Sequence, residues 1–360
     1  MKKARIIIGA NYGDEGKGTV VAHYTKNAQG SVLNVLTNGG AQRGHSILTE
    51  DGSMTFQHFG SGTYHGADSC YSRFFILNPM QFVKEYASLI HKPQNIYRDP
   101  LCRWSTPYDS MANLISEKLQ KRRASCGMGI WNTVERYNNN IGVTPFSDFC
   151  MLPYEEKMSF LYGVKKYYED KMSIPDDYKG VWNSLGLMAH FIVDCDSMYE
   201  LTEVSYVQSL YPLYDEVIFE NGQGLLLCDT GKDTFDTTPS NTGISYALQM
   251  LKGVDTSIQA HYVTRPYLTR HGDGDIMNYS TFRNNLSRSI EEDRTNHFNE
   301  FQGEFRYGRL DITPLKNRIL KDCKGVNFSV ELTHCDEMDR VKEFERRFLE
   351  VNTYDSALIK

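Results

Sequence analysis

Residues 6–20 read Ile6-Ile7-Ile8-Gly9-Ala10-Asn11-Tyr12-Gly13-Asp14-Glu15-Gly16-Lys17-Gly18-Thr19-Val20, and this stretch decides the fold. A short apolar run, typical of a buried strand, breaks into a loop with four glycines and one lysine, and helix-compatible residues follow at once. Glycines at such a junction allow positive φ angles and the close approach of a ligand. The N–H groups that open the next helix favour a phosphate, and Lys17 adds a cation. The segment therefore predicts a phosphate-binding loop between a strand and a helix.

Asp14 distinguishes this loop from an ordinary phosphate site. A carboxylate that faces bound phosphates is electrostatically unfavourable unless it holds a metal ion or accepts a proton. The loop lacks the spacing of a Walker A sequence, which places four residues between its first glycine and Gly-Lys-Ser/Thr. A tight strand-to-helix turn without a ligand is the structural alternative. Asp14 favours catalysis over binding alone.

The composition restricts the class of protein. The chain has 360 residues, 40% hydrophobic and 23% charged, which is enough for a sizeable core. A net charge of −6 argues against a broad nucleic-acid surface, and neither a membrane span nor a signal peptide is predicted. Eight scattered cysteines without a Cys-x-x-Cys pair indicate reduced thiols rather than zinc ligands or a disulfide framework. We expect a cytoplasmic protein (host cytoplasm, if the source is viral) without nucleic-acid or membrane partners.

Short apolar segments alternate with longer amphipathic ones, such as 79–89 and 108–121. This alternation predicts an α/β fold with a mostly parallel central sheet and P-loop-like glycine-rich loops at the carboxyl ends of strands, where ligands gather. Without repeats or linkers, we expect a single domain over residues 1–360, with a helical insertion at the tyrosine-rich stretch 146–210. The predicted strands are Ala4–Ala10, Ser31–Leu36, Phe74–Leu77, Glu216–Glu220, His261–Thr264 and Asn327–Leu332.

Further motifs rich in glycine, hydroxyl or charged residues follow the predicted strands. His45 is suited to donate a proton or stabilise charge, and Arg136 points either to a phosphate or to solvent. Gln223 can read a base because its amide both donates and accepts, and Asp336 can accept N–H groups of a guanine. Taken singly, each motif also fits a turn, a satisfied histidine, a charged loop or an N-cap cluster. The motifs lie at 38–46, 58–62, 125–129, 220–227, 237–242, 302–311 and 332–336.

Taken together and in order, the motifs resemble those of the adenylosuccinate synthetase family. Its patterns are G-x-Q-W-G-D-E-G-K-G-K, G-G-x-N-A-G-H-T, E-G-A-Q-G-T-L-L, V-T-S-S-N-T-T and S-T-R-V-G. The similar segments of this chain are residues 9–19, 39–46, 220–227, 237–243 and 268–272. Motifs in family order span residues 6–336, so the resemblance is far more specific than any one of them.

The resemblance implies a ligase that condenses L-aspartate with a 6-oxopurine nucleotide in two steps. A nucleoside triphosphate phosphorylates the 6-oxygen, and the amino group of aspartate then displaces that phosphate. By the same resemblance, Asp14 is the base that takes the purine N1 proton and also a ligand of Mg²⁺. His45 stabilises the transferring phosphoryl group. The backbone of Gly44 is a second Mg²⁺ ligand, and Lys17 is a catalytic contact to the phosphates.

The remaining site residues follow from the same resemblance. Arg306 is the one position that aligns with the family's aspartate-binding arginines. Arg136 aligns with an arginine that reaches the neighbour's nucleotide across a dimer interface, so a homodimer is expected. The implied nucleotide-binding residues are Gly13, Glu15, Gly16, Gly18, Thr19, Gln42, Ser125, Arg136, Gln223, Thr238 and Asp336.

Departures from the family pattern bear on the substrates. Gln42 and Arg43 stand where the family has asparagine and alanine, and the guanine-reading T-K-x-D has become Thr-His-Cys-Asp at 333–336. GTP as phosphoryl donor therefore has ATP and dATP as alternatives. Retained Asp14 favours IMP as acceptor, because phage relatives that act on dGMP often carry serine there, whereas the short chain favours dGMP. We favour IMP. Two alternative functions belong to other classes of protein. One is a different P-loop-like enzyme, such as a nucleotide kinase, and the other is a nucleotide-binding regulator without turnover.

Overall fold

The computed structural model describes residues 2–49, 52–121, 125–228, 237–277, 305–336, 341–348 and 351–353. Residues 302–304 of one predicted motif lie outside this range. Within the described residues, no helix combines the length and the apolar character that crossing a membrane requires.

A nine-stranded sheet forms the centre of the fold. The strands are β1 Lys3–Gly9, β2 Val32–Leu36, β3 Gly39–Gly40, β4 His45–Thr49, β5 Gly52–Phe56, β6 Asp68–Tyr71, β7 Phe75–Leu77, β8 Ile96–Arg98, β9 Arg103–Trp104, β10 Glu203–Val204, β11 Glu216–Gly224, β12 Ser257–Thr264, β13 Leu268–Arg270, β14 Arg306–Gly308, β15 Phe328–Leu332 and β16 Val351–Thr353. The spatial order of the central sheet is β10-β8-β6-β2-β11-β1-β12-β15-β16, and each neighbouring pair is parallel. This arrangement confirms the predicted α/β fold with a mostly parallel sheet.

Helices connect the parallel strands. They are α1 Lys17–Lys26, α2 Pro79–Ser88, α3 Pro107–Gln120, α4 Ile130–Asn138, α5 Phe146–Met151, α6 Tyr154–Lys171, α7 Asp176–Trp182, α8 Leu185–Leu201, α9 Val207–Leu210, α10 Ser245–Met250, α11 Ile312–Asp322 and α12 Val341–Arg347. The stretch 146–210 holds α5 to α9 and the short strand β10. Its aromatic side chains pack on β9, where the ring of Trp104 lies 4.7 Å from that of Phe149.

The predicted strands are present with small shifts at their ends. One assignment differs, because Phe75–Leu77 belongs to the smaller sheet β3-β7-β9 and not to the central sheet. β11 extends past Glu220 to Gly224, since its pairing with β1 resumes at Gly9 after a register shift. The sequence analysis missed β6 and β8, whose short and partly polar sequences carry little strand signal.

The central position of β1 explains its apolar sequence. Ile6, Ile7 and Ile8 are fully buried, because parallel strands with helices on both faces bury successive side chains. The carboxyl ends of β1, β2, β11, β12 and β15 point to one edge of the sheet. The glycine-rich loops stand at that edge, which is where the candidate site forms.

Candidate functional site

The loop after β1 bends through residues with positive φ. The φ angles are +110° at Gly13, +58° at Asp14 and +89° at Gly16, which caps α1. Glycine adopts this region readily, and aspartate is among the few other residues that tolerate it. The bend places the N–H groups that open α1 at the carboxyl end of β1, an arrangement suited to a phosphate.

Glu15 points inward and holds the loop together. Its carboxylate accepts the N–H groups of Asn11 and Gly13, both at 2.9 Å, and the ammonium group of Lys17 at 2.7 Å. Burial raises the pKa of Glu15, but Lys17 and the backbone hydrogen bonds outweigh burial and lower it. Gly9 leaves room for the ion pair, because a Cβ there would lie 2.4 Å from Oε2 of Glu15. The Glu15 side chain therefore supports the loop from inside.

Side chains from later in the chain fix the carbonyl oxygens of the loop. The donors are Thr333 Oγ1 to Glu15 at 2.6 Å, Arg265 Nε to Asp14 at 2.6 Å and Thr269 Oγ1 to Gly13 at 3.2 Å. Arg265 was missed by the sequence analysis and carries no local signal. Thr269 lies in a family-like segment that could have drawn attention to it. The loop is thus held by residues from the ends of β12, β13 and β15.

Asp14 keeps an accessible carboxylate in this loop. Its side chain is 23% exposed, and its Oδ2 lies 3.5 Å from Nε2 of His271. His271 stands where the family pattern has valine. The carboxylate is thereby available to a proton, a metal ion or a substrate.

His45 begins β4 and is buried beside Glu220 of β11. Its Nδ1 lies 2.5 Å from Oε1 of Glu220, and its Nε2 lies 3.3 Å from the carbonyl oxygen of Gly222. Nη2 of Arg43 lies 3.0 Å from the same Oε1. Ser61 donates to the Glu220 carboxylate from its N–H at 3.0 Å and from its hydroxyl at 2.7 Å. The carboxylate is therefore surrounded by donors.

The charges in this cluster determine its protonation. Burial lowers the pKa of His45, and the nearby Arg43 lowers it further. Burial raises the pKa of Glu220, but the charge of Arg43 and the hydrogen bond from His45 outweigh burial and lower it. Glu220 is therefore ionised at neutral pH.

The first loop and His45 meet at Gly18. A Cβ at Gly18 would lie 2.9 Å from the carbonyl oxygen of Ser46 and 3.3 Å from the carbonyl carbon of His45. The missing side chain allows α1, with Thr19 in its first turn, to pack directly on the start of β4. The structure thus brings the Asp14 loop and His45 to the same part of the sheet edge.

Buried amides form a third cluster. A Cβ at Gly39 would lie 2.8 Å from Nε2 of Gln223 and 3.2 Å from Nε2 of Gln42, so both side chains border this glycine. Asn38 donates to Oε1 of Gln223 at 3.1 Å. In the part of the chain that the structure describes, neither polar atom of the Gln42 amide nor Nε2 of Gln223 has a hydrogen-bond partner. Since buried amides need partners, the cluster is suited to a polar ligand.

Two predicted segments border the amide cluster. Asn38 also donates to the hydroxyl of Ser240 at 2.8 Å, which brings the segment containing the buried Thr238 beside it. On the other side, a Cβ at Gly40 would lie 2.7 Å from Cδ1 of Ile130, the first residue of α4. Ser125, in the turn before α4, donates to Oδ1 of Asn113 at 3.0 Å.

The predicted aspartate and base contacts occupy the ribbon β13-β14 and the end of β15. Arg306 pairs with Arg270 across the antiparallel ribbon, and its guanidinium donates to the carbonyl oxygen of Gly272. Arg270 is buried, and its guanidinium lies 4.9 Å from the centre of the Tyr12 ring. Asp336 is exposed beyond β15.

Arg136 of α4 has its hydrogen-bond partners within the chain. It is fully buried, and each of its five N–H groups has an acceptor within the chain. Asp109 accepts two of them, at 2.8 and 3.1 Å, and the carbonyl oxygens of Trp104, Ile141 and Gly142 accept the others. A guanidinium with every donor in use has none left for a phosphate. In this structure Arg136 joins α3 to α4.

The residues at the edge of the sheet fit a magnesium ion. Among the described residues there is no group of three or more His, Cys, Asp or Glu side chains that could hold a metal by itself. Mg²⁺ does not need one, because it takes one or two carboxylates together with substrate phosphates and water. The accessible Asp14 carboxylate and the exposed backbone of Gly44 supply oxygen ligands of that kind.

Comparison with protein families gives a match over most of the chain. The family model described as adenylosuccinate synthetase matches residues 6–345. Among similar proteins, the adenylosuccinate synthetase of Blochmanniella pennsylvanica is 24% identical over 96% of this chain and 79% of its own length. That of Prochlorococcus marinus strain MIT 9313 is 26% identical over 82% of this chain and 67% of its own length.

Two solved structures share the fold. The fully ligated adenylosuccinate synthetase from Plasmodium falciparum superposes with a TM-score of 0.71 and 19% identity, over 94% of this chain and 78% of the other. The succinoaminodeoxyadenylate synthetase of cyanophage S-2L, bound to dGMP and to dATP as an energy donor, gives a TM-score of 0.65 and 12% identity. That match covers 99% of this chain and 92% of the phage chain.

Proposed function

This chain belongs to the adenylosuccinate synthetase family, whose enzymes are ligases that form C–N bonds, and from that premise we propose that it condenses L-aspartate with IMP. The product is adenylosuccinate, and a nucleoside triphosphate drives the reaction. The observation that carries the proposal is the contact at Gly18, which joins the Asp14 loop to His45. A base and a charge-stabilising group for one phosphoryl transfer have to lie at one place.

The first step transfers the γ-phosphoryl group of the triphosphate to the 6-oxygen of the purine. Asp14 takes the N1 proton, so that the 6-oxygen becomes the nucleophile, and His45 stabilises charge on the transferring group. Lys17 and the N–H groups at the start of α1 hold the phosphates. Asp14 and the backbone of Gly44 would hold Mg²⁺, which would neutralise charge on the phosphates.

In the second step the amino group of aspartate attacks C6 and the phosphate leaves. Arg306 is suited to a carboxylate of aspartate, because a guanidinium binds a carboxylate with two parallel hydrogen bonds. The buried amides of Gln42 and Gln223 are suited to the acceptor nucleotide. Asp336 is the candidate contact to the base of the donor, for which we propose GTP. We also propose that the chain acts as a homodimer.

A second candidate acceptor is dGMP, with ATP or dATP as donor. The near-equal length of this chain and the phage enzyme bound to dGMP and dATP favours it. Retained Asp14 favours IMP, because phage relatives that act on dGMP often carry serine there, which makes room for the 2-amino group.

One matrix of reactions tests these proposals. The purified chain is incubated with Mg²⁺ and L-aspartate, crossing IMP, GMP and dGMP with GTP, ATP and dATP, and products are identified by mass. We expect the succinylated product with IMP. Product with dGMP alone would replace the first candidate by the second, and no product from any pair would refute the ligase reaction. Triphosphate hydrolysis that aspartate does not stimulate would indicate a kinase-like enzyme, and binding without turnover a regulator.

A further inference from the structure

Arg43 is a residue of the site that the family pattern does not explain. The family has alanine at this position, and an alanine side chain adds no charge beside the histidine. In this chain the position holds a fully buried guanidinium in contact with both His45 and Glu220. We propose that Arg43 is a positioning residue that orients His45 through Glu220. The inference rests on the proposed ligase function and deepens it.

The geometry of the three side chains carries the inference. Nη2 of Arg43 and Nδ1 of His45 lie 3.0 Å apart, and both approach Oε1 of Glu220, at 3.0 and 2.5 Å. A guanidinium only donates and a carboxylate only accepts, so both nitrogens donate to that one oxygen. Nδ1 of the imidazole therefore carries a hydrogen that points to Oε1 of Glu220, and Glu220 orients the ring.

The other polar contact of the ring is longer. Nε2 lies 3.3 Å from the carbonyl oxygen of Gly222, whereas Nδ1 lies 2.5 Å from Oε1 of Glu220. The ring orientation therefore depends on where Oε1 of Glu220 lies. Ser61 fixes that carboxylate from one side, and Arg43 fixes it from the other.

The remaining donors of Arg43 argue against a packing role alone. Its Nε and Nη1 are buried without a hydrogen-bond partner among the described residues. Buried unpaired donors lower stability, so an apolar side chain of the same length would pack better. Its contact with the catalytic cluster is what Arg43 adds.

The test is a kinetic double-mutant cycle with Arg43→Met, Glu220→Gln and the double variant. We expect Arg43→Met to lower kcat by roughly 10- to 100-fold, the usual effect of a slightly misplaced catalytic group, with KM values within about threefold of the unmodified chain. The kcat of the double variant should be no lower than that of the less active single variant, because both substitutions act on His45 along one path. Arg43→Lys keeps the cation beside Glu220 and should recover most of kcat.

Arg98→Met is the matched control. Arg98 is also a buried arginine, but it donates to Thr202 and Ser147, away from the site. We expect it to lower the midpoint of urea unfolding while leaving kcat per folded molecule unchanged. If Arg43→Met does not fold, Arg43→Gln takes its place in the cycle.

Independent losses that multiply in the double variant would overturn the inference, and so would an unchanged kcat in the folded Arg43 variant. A KM effect without a kcat effect would also overturn it, since that would make Arg43 a binding residue. These failures differ from failure of the proposed function, which would show as an absence of product from the unmodified chain. In that case, urea unfolding of the unmodified chain, the two single variants and the double variant still measures whether Arg43 and Glu220 are coupled in stability.

Discussion

Replacement of Arg136 by methionine separates a structural arginine from one that serves a nucleotide. Methionine fills similar volume but leaves Asp109 buried without its cation, although Tyr168 and Thr106 still donate to it. Removing one partner of a buried ion pair costs about 3–5 kcal/mol. We therefore expect the free energy of unfolding to fall by about 4 kcal/mol, since three carbonyl oxygens lose a donor as well.

Urea unfolding followed by circular dichroism measures this loss, and activity in mixtures tests the alternative. The control is Asp109→Asn combined with Arg136→Met, which should lose less than the sum of the single variants because no charge is left unpaired. An arginine that reached only a neighbour's phosphate would change unfolding by less than about 0.5 kcal/mol. Its loss would also be rescued by mixing with Asp14→Asn, through shared sites in mixed dimers. Either result would refute the intrachain role.

Three further outcomes are expected. Asp14→Asn should lower kcat by at least about 100-fold, as loss of a general base does. The midpoint of its urea unfolding should be unchanged. A near-normal kcat would show that Asp14 is not a catalytic residue. Gly9→Ala should destabilise the chain by about 1–3 kcal/mol, because its Cβ would lie 2.4 and 2.8 Å from the Glu15–Lys17 pair, and an unchanged midpoint would contradict that packing. Burial raises the pKa of Glu331, but the hydrogen bond and charge of His261 lower it from 4.5 to about 2. This carboxylate therefore stabilises the fold above pH 4.5, by about 3 kcal/mol, and that stability is lost as the pH falls toward about 2. In Glu331→Gln, the free energy of unfolding should therefore fall less as the pH is lowered. An unchanged fall would show that Glu331 does not cause it.

The sequence predicted the parts of the fold whose cause is local. Ile6 to Ile8 followed by glycines specify a buried strand and a loop without reference to the rest of the chain. The short strands β6 and β8 escaped notice because four or three residues, some of them polar, carry almost no periodicity. The placement of Phe75–Leu77 in a smaller sheet depends on its partners, Gly39–Gly40 and Arg103–Trp104, which no local pattern reveals.

In the candidate site, too, the sequence predicted the features with a local cause and missed those that depend on distant residues. Glycines with positive φ and an aspartate between them indicate a special loop from residue type alone. By contrast, the inward direction of the Glu15 side chain follows from its contacts with Lys17 and two N–H groups. The sequence analysis predicted a nucleotide contact for Glu15. The contact of Arg43 with Glu220 joins positions far apart in the chain. Arg136 on a helix looks the same in sequence whether its guanidinium meets Asp109 or a phosphate.

The position of β1 in the sheet has a consequence for synthesis of the chain. Lys3 pairs with Glu216 on one side and with Ser257 on the other. The strand that carries the Asp14 loop therefore leaves the ribosome well before either neighbour, because the whole segment between β1 and β11 is synthesised in between. At about 5–20 residues per second, its edges stay unpaired for roughly ten seconds or longer. During that time the Ile6–Ile8 run is an exposed apolar strand, and such a strand is a target for chaperones and a risk for aggregation.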